Sequence, residues 1–458
     1  MSAALPTRWR RRLERLARDQ GLDCLPVEFA VVPAGFMLEI AAYGLPVRMP
    51  HWSFGVRYLQ QLARHHMGHS HLFELMFPGD PCHAFLSESN SAPENALVAA
   101  HVLGHADFVK RNTLFRQWMA MTGPHVLARC AGRARRVEAA MARFGPQRVE
   151  AVLDVALALE AQIDVVAPLH RAEYAMAPAA AAAPPATTPF RRQQRTPVAA
   201  APPWAPSRPP HMLPPYPEPD LLWFIARHAP ALEEWERDIF LAVREEAYYF
   251  YPVHACQIMN EGWASYWHAR LLREADFLPS SCYLQAIKSH SDVVRPHEDA
   301  AGVALSINPY HLGFAMWEHI VARDGLDAAR RICAEEDDTG FIRNHLDREL
   351  ADQLDLFVHE TSPDGTTRMV SRDLHAIHEA ILAPKYNGGA PSVTVTRLHD
   401  DGKLELTHDA RRDGRGLDLP QAVQVMASLA KVWRRPVVLH TVDMRGLPRT
   451  IEGDGGAA

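Results

Sequence analysis

The stretch Glu94–Phe108, ENALVAAHVLGHADF, places its apolar residues at helical spacing and shows no alternation of β-branched residues. This pattern predicts an α-helix. The same spacing continues to Trp118 and returns in Arg129–Phe144 and Gln147–Ala161. We therefore predict that the first part of the chain is mainly helical.

Helical spacing also marks four segments in the second half of the chain, with Pro and Gly residues between them. These segments are Asp220–Ala247, Ile258–Ala275, Leu312–Ala322 and Phe341–His359. From about Thr366 the pattern changes to short alternating stretches, which predict strands at 392–398 and 403–408. A helix at 420–433 and a strand at 436–442 complete a small α+β unit.

A run rich in Ala and Pro separates the two helical parts, and it cannot bury enough apolar surface to offset its chain entropy. We predict a mainly α protein, with a large helical body and a small C-terminal α+β unit. The predicted parts are an N-terminal helical part (1–174), a disordered linker or insertion (175–219), a second helical part (220–365) and the α+β domain (366–458).

Composition is that of an ordinary globular protein: 458 residues, of which 48% are hydrophobic. The 48 basic and 54 acidic residues give a net charge of -6, which does not indicate a nucleic-acid partner. No stretch approaches the roughly 20 apolar residues that span a bilayer. Six scattered cysteines without a CxxC pair suit reduced thiols. We expect a soluble, cytoplasmic protein without a membrane partner.

His101 and His105 lie four residues apart in the predicted helix, so their imidazoles project from one face a single turn apart. Two imidazoles at this spacing can bind one metal ion. Glu94 lies seven residues before His101 on the same face, where it is a candidate third ligand or a partner that orients a ring. The alternative is a pair of histidines that hydrogen-bond inside the core, because HxxxH lacks the Glu of H-E-x-x-H.

A second segment, Asn260–His268 (NEGWASYWH), looks like the Asn-Glu-Gly-aromatic-Ala element of gluzincin aminopeptidases, whose Glu is a zinc ligand. The resemblance implies that Glu261 joins His101 and His105 on a divalent metal ion. Two His and one carboxylate with an open position form a typical catalytic zinc site. Zinc is therefore the first expectation, and iron or manganese are the alternatives.

The general base is missing from its usual place, because Val102 follows the first histidine where gluzincins have Glu. Glu245 and Glu246 are the candidates to move the proton instead. His268, seven residues after Glu261, is a candidate fourth ligand, proton shuttle or plain buried histidine. Asn260 is a candidate to cap a helix or to hold a substrate carbonyl.

Two blocks carry a resemblance to the SpoVR (stage V sporulation protein R) family. His101–Asn112 is similar to its HVxxHxDFxKNN block, and Ile258–His268 to its IMNEGWA(S/T)xWH block, with Arg111 as a departure. The resemblance implies a cytoplasmic bacterial protein linked to synthesis of the spore cortex. It also implies a PrkA-type serine kinase and a von Willebrand A-like protein as partners.

Two functions from different classes follow from these residues. The first is a metal-dependent, zincin-like hydrolase that acts on an amide, a peptide or a peptidoglycan-related substrate and takes its base from outside the first motif. The second is a non-catalytic partner of a kinase-linked stress or sporulation module, in which the two motifs form a polar core or a structural metal site.

Overall fold

The computed structural model describes residues 6–66, 74–174, 212–293, 307–361 and 367–455. Most of these residues lie in helices, which confirms the predicted mainly α fold with a small C-terminal sheet unit. Most of the predicted linker, residues 175–211, lies outside the described residues. In the part of the chain that is described, no helix is long and apolar enough to cross a membrane.

The helices and strands follow one another along the chain as follows. The helices before the predicted linker are α1 (Thr7–Asp19), α2 (Ala34–Tyr43), α3 (Trp52–His66), α4 (Ala92–Arg111), α5 (Thr113–Thr122), α6 (Val126–Phe144) and α7 (Pro146–Ala158). The later helices are α8 (Leu221–His228), α9 (Glu234–Ala255), α10 (Gln257–Glu274), α11 (Ser280–Val293), α12 (Pro309–Asp324), α13 (Leu326–Glu335), α14 (Asp338–His345), α15 (Arg348–Gln353), α16 (Leu374–Leu382), α17 (Ala410–Asp413) and α18 (Leu419–Trp433). The strands are β1 (Val27–Val32), β2 (Glu74–Phe77), β3 (Cys82–Ser87), β4 (Val358–Thr361), β5 (Thr367–Ser371), β6 (Val393–Leu398), β7 (Leu404–His408), β8 (Val437–Val442) and β9 (Pro448–Gly453).

The chain forms two compact units, each assembled from two separate stretches of sequence. The first consists of Met1–Glu150 and Glu245–Gly389, and the second of Ala151–Arg244 and Ala390–Ala458. The prediction gave each part a single continuous stretch of sequence, whereas each compact unit combines two stretches. In the first unit, β3 pairs in parallel with β1 and antiparallel with β2. This small sheet was not predicted.

The second unit contains the four-stranded sheet β6-β7-β8-β9. The outer pairs are antiparallel and the central pair, β7 with β8, is parallel. Helix α18 packs on β8 and β9. Three of the four strands and the helix lie where the alternation of the sequence predicts them, while β9 was not predicted.

Helix α4 is the centre of the first unit, and almost all of its residues from Asn95 to Val109 are buried. A helix that is buried on every side needs no polar face toward solvent, and the sequence of α4 is accordingly mainly apolar all round. It begins with a capping box: the Ser91 side chain accepts from the Glu94 amide, and the Glu94 carboxylate accepts from the Ser91 amide. Helix α10 packs along it.

Four small residues let these helices approach one another. A Cβ atom on Gly262 of α10 would lie 2.3 Å from the carbonyl carbon of Gly313 in α12, which is too close for two non-bonded carbon atoms. On the other side, a Cβ atom on Gly104 of α4 would lie 2.7 Å from the Cα atom of Ala264. Because α10 is in backbone contact with both neighbours, its side chains are held at a fixed distance from those of α4.

Buried polar contacts complete the placement of α10. The Asp338 carboxylate accepts hydrogen bonds from the first amides of the helix, at Ile258 and Met259, each 2.9 Å long. Lys385 balances the charge of Asp338 at 2.8 Å. The Trp263 indole donates to Asp107 of α4 at 3.0 Å. These bonds set both the position of α10 along its axis and its rotation.

The substitution Gly262→Ala tests this close contact. We expect it to destabilise the first unit by about 2 kcal/mol or more, because the added methyl group must push two helix backbones apart. The measurement is the unfolding midpoint in guanidinium, followed by circular dichroism.

The matched control is Gly132→Ala in the interior of α6, where an added Cβ meets no atom of the described residues within 4 Å. It is expected to be neutral or to stabilise by up to about 1 kcal/mol, since Ala is the better helix former. Equal effects of the two substitutions would contradict the close-contact argument.

Candidate metal centre

Two imidazoles and two carboxylates from three elements converge inside the first unit. His101 and His105 project from α4, Glu261 from α10 and Glu74 from β2. His101 Nε2 lies 3.4 Å from Glu74 Oε1 and 3.5 Å from Glu261 Oε2, and His105 Nε2 lies 3.4 Å from the same Glu261 oxygen. The HxxxH and NEGWA motifs therefore meet in space, and Glu74 joins them.

The two carboxylates are short of partners. Glu74 Oε2 and Glu261 Oε2 are buried oxygens that make no hydrogen bond to any described residue. A buried oxygen without a partner costs free energy unless a proton or a cation occupies the space before it. Glu261 Oε2 lies 3.5 Å and 3.4 Å from the Nε2 atoms of His101 and His105, so a cation among these three atoms would give this oxygen a partner.

Asn260 determines the protonation of the second imidazole. Its Oδ1 accepts a hydrogen bond from His105 Nδ1 at 2.9 Å. A neutral His105 with its proton on Nδ1 has a bare lone pair on Nε2, the atom that faces Glu261. Two acceptors 3.4 Å apart repel each other, so a positive charge belongs between them, either as a second proton on the ring or as a metal ion.

The pKa values agree with this picture. Burial by itself lowers the pKa of His105, but the nearby charge of Glu261 outweighs burial and raises it to about 9. Burial by itself raises the pKa of Glu261, yet the charge of His105 holds it well below its usual range. Burial raises the pKa of Glu74. The two carboxylates thus differ: Glu261 stays ionised and Glu74 takes up a proton more readily.

Further aromatic groups surround His101. Its Nδ1 lies 2.9 Å from His268 Nδ1, and His268 Nε2 lies 2.6 Å from His290 Nδ1 in α11. The Tyr310 ring stacks near His101, with 6.1 Å between ring centroids. The charge of Glu261 and burial raise the pKa of Tyr310 well above its usual value, so the phenol keeps its proton.

Comparison with known proteins places the chain in a family. The family described as SpoVR like protein matches residues 2–388, a range that includes all of the residues above. The chain belongs to the SpoVR family. It is 30% identical over 351 residues to the uncharacterized protein YcgB of Escherichia coli (strain K12), an alignment that covers 71% of this chain. The chain spans 64% of the length of that relative. No solved structure matches the present chain.

Within this SpoVR chain, some predicted site residues make other contacts. Glu94 belongs to the capping box at the start of α4, two helical turns before His101. Glu245 pairs with Arg129 and Arg133. These contacts favour structural roles for Glu94 and Glu245, whose predicted roles as ligand and base stay predictions.

Glu246 is likewise held by an arginine, since Arg48 Nε donates to it at 2.7 Å and both side chains are buried. Glu246 and Glu261 lie on different helices, because α9 runs through Pro252 and ends at Ala255, and α10 starts at Gln257. Asn260 and His268 lie beside the two imidazoles, where they contact ring nitrogens directly.

Glu74, His290 and Tyr310 are absent from the predicted site. Glu74 lies in a short strand, 27 residues before His101, in a stretch without a recognisable motif. Tyr310 had a signal, because Asn308–Phe314 is one of the stretches that resemble the SpoVR family. His290 had no signal, since nothing in its local sequence distinguishes it from the other histidines of the chain.

The raised pKa of His105 predicts a pH dependence of the metal-free protein. A group whose pKa rises from 6.5 to about 9 on folding stabilises the fold fully below pH 6.5 and loses that contribution as the pH rises to 9. The loss corresponds to about 3 kcal/mol. We expect the unfolding midpoint of metal-free protein to fall over this interval.

Glu261→Gln removes the charge that raises the pKa, so this variant should have a nearly flat midpoint between pH 6.5 and 9. Glu94→Gln, remote from the imidazoles, should keep the wild-type slope. Parallel slopes in wild type and Glu261→Gln would refute the coupling between Glu261 and His105.

Proposed function

We propose that this chain is a metal-dependent hydrolase of amide or peptide bonds, with His101, His105 and Glu261 as the ligands of the ion. The observation that carries the proposal is the convergence of these side chains with Glu74, whose Oε2, like that of Glu261, is buried without a hydrogen-bond partner among the described residues. A cation beside Glu261 Oε2 would supply the partner that this oxygen lacks, while Glu74 Oε2 stays available for a proton.

The donor set fits a divalent metal. Two imidazole nitrogens and one ionised carboxylate match the ligands of catalytic zinc sites, and the same set also suits iron or manganese. Asn260 orients His105 with its Nε2 lone pair toward Glu261, as a ligand requires. When bound, such an ion supplies Lewis acidity, which polarises a substrate carbonyl and acidifies water.

Glu74 is the group that we assign as general base. Its Oε1 lies 3.4 Å from His101 Nε2, and its Oε2 makes no hydrogen bond within the part of the chain that the structure describes, which leaves it available to take a proton. It comes from β2, outside both motifs, which accounts for the missing Glu after His101. Glu245 and Glu246 are weaker candidates, because arginines already hold their carboxylates.

Tyr310 is the residue that we assign as hydrogen-bond donor to the substrate. Its phenol stays protonated beside Glu261 and can donate a hydrogen bond to a carbonyl oxygen as negative charge develops there. The proposed division of labour is thus three ligands, one base and one donor. Peptides of peptidoglycan are the first substrates to try, because the SpoVR family is named for a role in sporulation.

Metal analysis tests the binding step. We expect near-stoichiometric zinc, iron or manganese in untagged protein purified without added metal, measured by inductively coupled plasma mass spectrometry. His101→Ala and Glu261→Gln should each lose the ion, because each removes one of three ligands.

The matched control is Glu94→Gln, which changes a carboxylate of the same helix that caps a terminus instead of facing the imidazoles. It should keep its metal. Folding of every variant is checked by circular dichroism. Metal-free wild-type protein, or metal content that does not respond to His101→Ala and Glu261→Gln, would rule out the site.

Activity tests the proton-transfer step. Glu74→Gln keeps the shape of the side chain but cannot act as a base, so we expect it to retain metal and to lose about 100-fold or more in kcat on an amide or peptide substrate that wild type hydrolyses. Wild-type kcat in a metal-replete Glu74→Gln variant would show that the base is another residue.

A further inference from the structure

A chain of three histidines leads away from the candidate metal centre. His101 on α4, His268 on α10 and His290 on α11 are joined by ring nitrogen contacts of 2.9 Å and 2.6 Å. His101 and His268 are buried, while His290 is only partly covered. The proposed hydrolase mechanism assigns no role to His268 or His290.

Hydrogen-bond rules allow only two arrangements of protons along the three-histidine chain when its rings are neutral. In each nitrogen pair, one atom must carry a proton and the other must accept it. Each neutral imidazole carries a single proton, so a donor at one nitrogen makes the other nitrogen an acceptor. The position of the proton on His101 therefore determines that on His268, which in turn determines that on His290.

The inward arrangement suits the metal-free centre. A proton on His101 Nε2 points at Glu74 Oε1 and Glu261 Oε2, 3.4 Å and 3.5 Å away. Nδ1 of His101 then accepts from His268 Nδ1, and Nε2 of His268 accepts from His290 Nδ1. Every bond of the chain runs from His290 toward the carboxylates.

The outward arrangement suits an occupied centre. An ion bound at His101 Nε2 needs the lone pair of that nitrogen, so the proton of His101 must reside on Nδ1. His101 then donates to His268, and His268 donates through Nε2 to His290 Nδ1. The Nδ1 proton of His290 passes to His268, and His290 Nε2, on the side away from His268, takes up a proton from solvent. The proton that leaves His101 Nε2 is released to solvent, so each ring still carries one proton.

We propose that His268 and His290 are positioning residues that select the tautomer of His101, and that the three-histidine chain reverses its hydrogen-bond direction when a metal ion binds. The inference rests on the proposed metal-binding function. In its outward direction, the chain gives the His101 Nδ1 proton an acceptor and so holds the Nε2 lone pair toward the ion.

Several contacts favour this role over that of buried histidines that merely satisfy one another. Both nitrogens of His268 are used within the chain, so the ring cannot satisfy one neighbour without affecting the other. Phe314 packs against the His290 ring, with 5.2 Å between centroids, and limits its rotation.

The test measures zinc affinity by competition with a chelator in wild type, His290→Leu and His290→Asn, all checked for folding. Leu offers no acceptor, so we expect zinc to bind about 10- to 100-fold more weakly. Asn offers an amide oxygen close to the place of Nδ1 and should restore most of the affinity. Equal affinity in wild type and His290→Leu would overturn the inference and leave the metal site intact.

A second measurement follows the protons themselves. In protein labelled with ¹⁵N-histidine, His290 is assigned from the signals that disappear in His290→Leu. We expect its proton on Nδ1 without zinc and on Nε2 with zinc. An unchanged His290 tautomer on zinc binding would overturn the reversal, whereas wild type that binds no zinc at all, like His101→Ala, would overturn the proposed function itself.

Discussion

The backbone contact between α10 and α12 at Gly262 and Gly313 is the constraint on which the centre depends. Gly262 follows Glu261 directly, so the contact that places the helix also places the carboxylate. On the opposite side, Ala264 lies against Gly104, which is flanked within α4 by the two imidazoles. A glycine inside a helix lowers its stability by about 1 kcal/mol relative to alanine. Here the absence of a Cβ atom lets two helix axes come close enough for side chains of neighbouring helices to meet.

Such proximity creates an electrostatic problem that the side chains solve together. Two partly buried carboxylates, each with a buried Oε2, repel each other and lose part of their hydration, so they favour a positive charge nearby. In the absence of an ion, protonation of His105 supplies this charge, which is why its pKa rises while that of Glu261 falls. The groups that stabilise the metal-free core are therefore the ones that a cation would engage, and a proton and an ion compete for the same space.

This organisation also explains which parts could be predicted from sequence. Helical periodicity and the spacing of His101 and His105 are local properties, so the helices and the imidazole pair were predictable. Glu74 was not, because it reaches the centre through the pairing of β2 with β3, and such a contact between distant segments has no sequence period. Glu94 shares the helical face of His101, yet a carboxylate in the first turn is drawn to the free amides of the helix end. Neither the pairing of Glu246 with Arg48 nor the interruption at Cys256 had a local signal.

The two imidazoles differ in what holds them, and the difference has a chemical consequence. Asn260 presents a carbonyl oxygen, which only accepts, so His105 keeps its proton on Nδ1 whether or not an ion is present. His268 presents a ring nitrogen, which can donate or accept, so His101 is free to change tautomer. His105 is thus oriented as the proposed ligand role requires, while His101 can give up the proton that shields the carboxylates from each other. A centre with one fixed and one adjustable imidazole would suit both the metal-free state and the proposed ion-bound state.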